Sequence, residues 1–102
     1  MSIIIIETQN LKTASPTGLL STPLLETDQA RALFLNLADG QKVPPCQMSA
    51  TVLYYVVEGQ GLLNVESEQA ELQTGSLVVV PAGTTRSISA TTQMRVLAVQ
   101  LL

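Results

Sequence analysis

Turn-forming residues recur along this chain at intervals too short for helices. From Gly40 onward, Pro44-Pro45, Glu58 to Gly61, Glu66 to Gln69, Thr74-Gly75 and Pro81 to Gly83 each interrupt the apolar pattern. The runs left between them are TVLYYVV, GLLNV, AELQ, SLVVV, RSISA and MRVLAVQLL. Most are rich in β-branched residues, whose stiff side chains suit a pleated strand. Several short strands at this spacing predict an all-β sandwich or barrel. A chain of 102 residues has room for one such core and not for two.

Upstream of Gly40 the signals are mixed. The run SIIIIE predicts a strand, and TQNLKTASPTGLLSTP, with Ser, Thr, Pro and Gly at breaker positions, predicts an irregular crossing segment. ETDQARALFLNL opens with a helix N-cap candidate in Thr27 or Asp28, but RALFLNLADG alternates and closes on a turn at Ala38-Asp39-Gly40. A strand is the better reading. The expected organisation is therefore a single domain over 1–102, with an N-terminal strand and crossing segment at 1–29 and the barrel proper at 30–102.

Hydrophobic residues make up 46% of the chain and charged ones 13%. So little charge leaves apolar surface for a partner, and a homodimer built on Ile3–Ile6 or another apolar edge is expected. The net charge is −3, and the five basic residues, Lys12, Arg31, Lys42, Arg86 and Arg95, are scattered. Such a distribution offers no track for a phosphate backbone, so nucleic acid is not an expected partner. One cysteine forms no internal disulfide, which points to a reducing, cytoplasmic setting. Ile3–Ile6 is too short for a signal-peptide core and no run reaches membrane length, so no membrane partner is expected.

Two windows resemble the paired motifs of the cupin superfamily. The first family motif is G(x)5HxH(x)3,4E(x)6G. Here Gly40 is followed by QKVPP, Cys46, Gln47, Met48, then SAT, Val52, LYYVVE and Gly59, with every spacing kept. The second is G(x)5PxG(x)2H(x)3N, and Gly75, SLVVV, Pro81, Ala82, Gly83, TT, Arg86, SIS and Ala90 fall on it in register. The resemblance covers roughly Ala30 to Leu102 and implies a cupin-like double-stranded β-helix, a jelly-roll barrel. Gly59 and Gly61 are expected to supply positive φ in a hairpin turn, and Pro81 with Gly83 to re-aim the chain between strands.

The resemblance also implies a metal site, and this sequence departs from it. The four family ligand positions, three histidines and a glutamate, hold Cys46, Met48, Val52 and Arg86. No cofactor is expected. Cys46 and Met48 alternate on one strand and share a face, which in the family looks into the barrel. Core packing is the commoner role for such a pair; a soft Cu(I) site is the sharper one, and the third soft donor, Met94, has nothing in the sequence to place it beside them. Val52 fills space where a carboxylate would sit. Tyr54 shares its parity and is expected inside, with Tyr55 facing the other way.

Arg86 is the most informative of these residues. An inward guanidinium needs an anion, a carboxylate or water, and none of the eight acids is evidently placed to meet it. The expected function is a metal-free small-molecule binding or structural module, with Arg86, Cys46, Met48 and Tyr54 around a ligand such as a carboxylate or phosphate. The alternative is a small enzyme using Cys46 with Arg86 and Tyr54, with or without copper. Having no histidine, the chain lacks any Ser-His or Cys-His couple and any imidazole base.

Overall fold

Strict alternation along MRVLAVQL becomes alternating burial: Met94, Val96, Ala98 and Gln100 point inward, with Arg95, Leu97 and Val99 only half-covered between them. This strand is the middle of the larger of two antiparallel sheets in the computed structural model, which describes residues 3–11, 20–66 and 68–102. In chain order the described strands are β1 (Leu20–Glu26), β2 (Ala30–Leu37), β3 (Lys42–Gln47), β4 (Thr51–Glu58), β5 (Gly61–Val65), β6 (Glu68–Leu72), β7 (Leu77–Val80), β8 (Thr85–Ala90) and β9 (Met94–Leu101). One sheet runs β1-β2-β9-β4-β7 and the other β3-β8-β5-β6. The result is the two-sheet jelly roll, and no helix among the described residues is long and apolar enough to cross a membrane.

The core lies between the sheets. Leu35, Leu37, Val52, Tyr54, Val56, Val96 and Ala98 from the larger sheet meet Leu63, Leu72, Ile88 and Ala90 from the smaller. Each fully buried Val, Leu or Ile contributes about 1.5–3 kcal/mol. Strand β2 is covered on its outer face as well, where Phe34 and Asn36 are both fully buried. Arg95 covers them: its guanidinium stands 5.1 Å from the Phe34 ring centroid, and its Nε donates to Asn36 Oδ1 at 3.1 Å. Its Nη2 donates to the Thr8 carbonyl, which ties the N-terminal segment to the sheet.

Several sequence expectations are corrected. Ile3–Ile6 forms no strand; no strand among the described residues offers it a ladder, and its first three side chains are 84%, 74% and 74% exposed. The segment expected to be irregular ends instead in β1, and Pro23 is tolerated there because β1 is an edge strand with a bulge at Pro23–Leu25. The rest of that segment carries a short 3₁₀ turn at Thr8–Asn10, and residues 12–19, with Lys12, lie outside the described residues. Pro44-Pro45 makes no turn. It is a bulge inside edge strand β3, between Val43 and Cys46, where missing N–H donors cost least.

Nor do Gly59 and Gly61 close a hairpin. Strands β4 and β5 belong to different sheets, and the chain turns a corner between them. Gly59 has the expected positive φ, +102°. Gly61 does not, and is required for a different reason: a Cβ there would fall inside contact distance of Met94 Sδ and the Ser89 carbonyl. The corner is pinned by Gly59 N–H donating to Thr74 Oγ1 (3.1 Å) and Gln60 N–H to Thr92 Oγ1 (3.0 Å). Pro81–Gly83 re-aims the chain from β7 to β8 and so from one sheet to the other, with Gly83 N–H donating to the Met48 carbonyl at 2.8 Å.

Candidate functional site

Period-two alternation sends Arg86, Ile88 and Ala90 of β8 inward together. Isoleucine and alanine belong there; a guanidinium does not. Arg86 is nonetheless only 1% exposed, and it is among the largest fully buried side chains. Its neighbours across the sheet are Cys46 on β3 and Val65 on β5. From that position the side chain crosses to the facing sheet. Its Nη1 donates to Tyr54 Oη at 3.3 Å, its Nε to the Thr84 carbonyl at 2.9 Å, and its Nη2 to the Pro81 carbonyl at 3.5 Å.

All three acceptors are neutral oxygens. A guanidinium has five N–H donors, so these three bonds leave two without a partner among the described residues. The one ion pair among the described residues, Arg31 with Glu26 at 2.8 Å, is on the surface. Arg86 therefore carries a buried positive charge that no carboxylate of the described chain meets. Tyr54 shares the enclosure, 6% exposed. Burial pushes its phenol above the ordinary value; the hydrogen bond and charge of Arg86 offset part of that rise, and Cys46 adds to it. The phenol keeps its proton and acts as a hydrogen-bonding group.

The other expected site residues are placed less uniformly. Cys46 stands opposite Arg86 in register, but its side chain is exposed. It is not a core gap-filler: it shares the face of Arg86, but on edge strand β3 it is left open to solvent. Met48 packs half-buried against the core, Val52 fills it, and Tyr55 faces outward, 43% exposed. Met94 lies at the other end of the barrel. It packs on Gly61, four residues along β5 from Val65, a distance of about 13 Å at the strand rise.

This donor set does not fit a metal ion. Val52 has no lone pair, the Arg86 cation beside Cys46 repels an ion, and Met94 is remote, which leaves only the thiol of Cys46 and the thioether of Met48. Among the described residues no three of His, Cys, Asp and Glu cluster. Sequence reasoning missed the carbonyls of Pro81 and Thr84, which hold the guanidinium. No residue type signals them, because any residue brings a carbonyl and only the path of the chain aims it.

A family model described as the cupin domain matches residues 34–100. Among solved structures, a protein from Thermus thermophilus aligns at a TM-score of 0.86 and 21% identity, covering 95% of each chain. A cupin superfamily protein from Desulfitobacterium hafniense aligns at 0.85 and 21% identity over 89% of this chain and 84% of that one. A predicted oxalate decarboxylase from Thermotoga maritima aligns at 0.77 and 23% identity, over 82% and 80%. No curated protein sequence matches.

Proposed function

The chain belongs to the cupin superfamily, and from that premise we propose that it is a metal-free member whose barrel binds a small anion, a carboxylate or a phosphate, on Arg86. The observation that carries this reading is the uncompensated guanidinium: fully buried, bonded to three neutral oxygens, with two N–H donors that meet no acceptor among the described residues. Burying such a charge costs several kcal/mol or so unless it is paired. An anion would supply the pairing, and a planar fork suits a carboxylate or phosphate. Tyr54 would orient the anion by hydrogen bonding. The likeness to a predicted oxalate decarboxylase agrees with carboxylate chemistry.

Binding to the native state alone raises the melting temperature. Thermal melts with millimolar carboxylates and phosphate therefore test the proposal: stabilisation is expected in the parent protein and absent in Arg86→Gln. If no carboxylate or phosphate raises the melting temperature, the proposal fails. Elemental analysis tests the metal-free part, since one equivalent of iron, manganese, nickel or zinc per chain would contradict it.

A second copy of the chain is the proposed partner. Ile3–Ile6 is apolar and without a ladder, and the larger sheet exposes Leu77, Val79 and Leu101 at 64%, 57% and 47%. A donor segment and an apolar acceptor face in one molecule are self-complementary. Light scattering should give twice the chain mass of 10.9 kDa; that mass itself at micromolar concentration would refute the dimer.

A further inference from the structure

Strands β6 and β7 each form one edge of their sheet, opposite β3 and β1 respectively, and a cleft of about 280 Å³ opens between them. Leu63, Val65, Ala70, Val78, Val80 and Pro81 give it an apolar lining. Three of these residues are immediate neighbours of the buried pair described above. Val65 is the cross-strand partner of Arg86 and Val78 that of Tyr54, while the Pro81 carbonyl accepts the bond from Arg86 Nη2. At 3.5 Å that bond is the longest of the three, and beyond the usual range for a strong one.

We infer that this cleft takes the apolar body of a small monocarboxylate whose head group replaces the Pro81 carbonyl on Arg86 Nη2. The inference rests on the anion-binding reading and adds the ligand class and its route. Arg86 does not itself line the cleft, so the head group reaches it by passing Pro81 as that weak bond opens. The cleft has room for a short alkyl chain or one aromatic ring. A phosphate or a dicarboxylate would place a second charge against valine and leucine, which disfavours both. Glu68 lines the cleft from an exposed position, where solvent screens it.

The test is a chain-length series. Acetate, butanoate, hexanoate and benzoate are titrated into the protein, with binding followed by the methyl NMR signals of Val78 and Ala70 and by melting temperature. Hexanoate should bind at least about tenfold more tightly than acetate, since each buried methylene adds to affinity. Ala70→Phe fills the cleft from an exposed position on edge strand β6. It should lower the affinity for hexanoate at least about tenfold, removing its advantage over acetate, and Arg86→Gln should abolish binding of both. The series on the unaltered protein needs neither variant to fold.

The outcomes separate the two ideas. If no carboxylate binds, the anion-binding reading is lost and this one with it. If all four bind equally and depend on Arg86, that reading stands and the cleft proposal is overturned. Methyl shifts that follow protein concentration in place of carboxylate would assign the cleft to a second copy, and would also overturn it.

Discussion

Replacing Arg86 with methionine should make the ligand-free protein more stable. Methionine matches arginine as far as Nε and adapts to irregular space, so the space left behind is that of the guanidinium carbon and its two terminal nitrogens, beside the exposed Pro81. What is lost is chiefly one well-formed hydrogen bond, Nε to the Thr84 carbonyl at 2.9 Å, since the contacts to Tyr54 and Pro81 are 3.3 and 3.5 Å long. A bond to a charged group contributes about 1.5–3 kcal/mol. What is relieved is the desolvation of a guanidinium with no carboxylate beside it, several kcal/mol or so. The Pro81 side chain is exposed and Thr84 half-exposed, so water can replace the donor at their carbonyls, and the Tyr54 hydroxyl can rotate toward one of them. The balance favours Arg86→Met by about 1–2 kcal/mol. For a domain of this size each kcal/mol moves the melting temperature by roughly 4–8 °C. Urea unfolding in a zwitterionic buffer free of carboxylate and phosphate measures the difference, and the same variant should lose all stabilisation by carboxylates. A loss of more than about 1 kcal/mol relative to the parent would refute the reasoning, because Arg86 would then be a structural anchor and not a charge held for a ligand.

Three further outcomes are expected. Burial raises the Tyr54 pKa above its ordinary 10.0, so the native state holds this proton more tightly than the unfolded chain. That contribution to stability is complete below the unfolded-state value and is lost as pH rises through the native-state value. Tyr54→Phe should flatten this alkaline loss, and the difference in phenolate absorbance between parent and variant should show a midpoint above 10.0. The exposed Cys46 should react with a thiol reagent in the native protein to one equivalent, and Cys46→Ser should change unfolding free energy by less than about 0.5 kcal/mol; a thiol that reacts only after denaturation would contradict its placement. Gly61→Ala should cost about 1–3 kcal/mol by overpacking Met94 and the Ser89 carbonyl, whereas Gly75→Ala, with open space around it but φ +91°, should cost only about 1 kcal/mol of backbone strain, both by denaturant midpoint.

The strands after Gly40 were legible because each is a short β-branched run between turn residues, and the alternation in MRVLAVQL states which side chains face the core. The same rules misread the chain wherever one local signal serves two structures. Pro44-Pro45 breaks a ladder in a turn and also in an edge-strand bulge. Gly59-Gln60-Gly61 suits a hairpin and equally a corner between sheets, and only the pairing of β4 with β9 and of β5 with β8 separates the two. Edge position also decided how open Cys46 is: the motif register places it on the inward face, and its pairing with Arg86 keeps it there, but at the sheet edge nothing among the described residues covers it.

By itself, the sequence determined the fold class, the inward side of β8 and the replacement of every family metal ligand, all of which follow from residue type and spacing along the chain. The meeting of Arg86 with Tyr54, thirty-two residues apart, was decided by the tertiary structure alone. So were the carbonyls of Pro81 and Thr84 and the cleft between β6 and β7. Those features depend on how two sheets are stacked and where their free edges fall, and a periodicity of two records which face a residue takes but not what faces it.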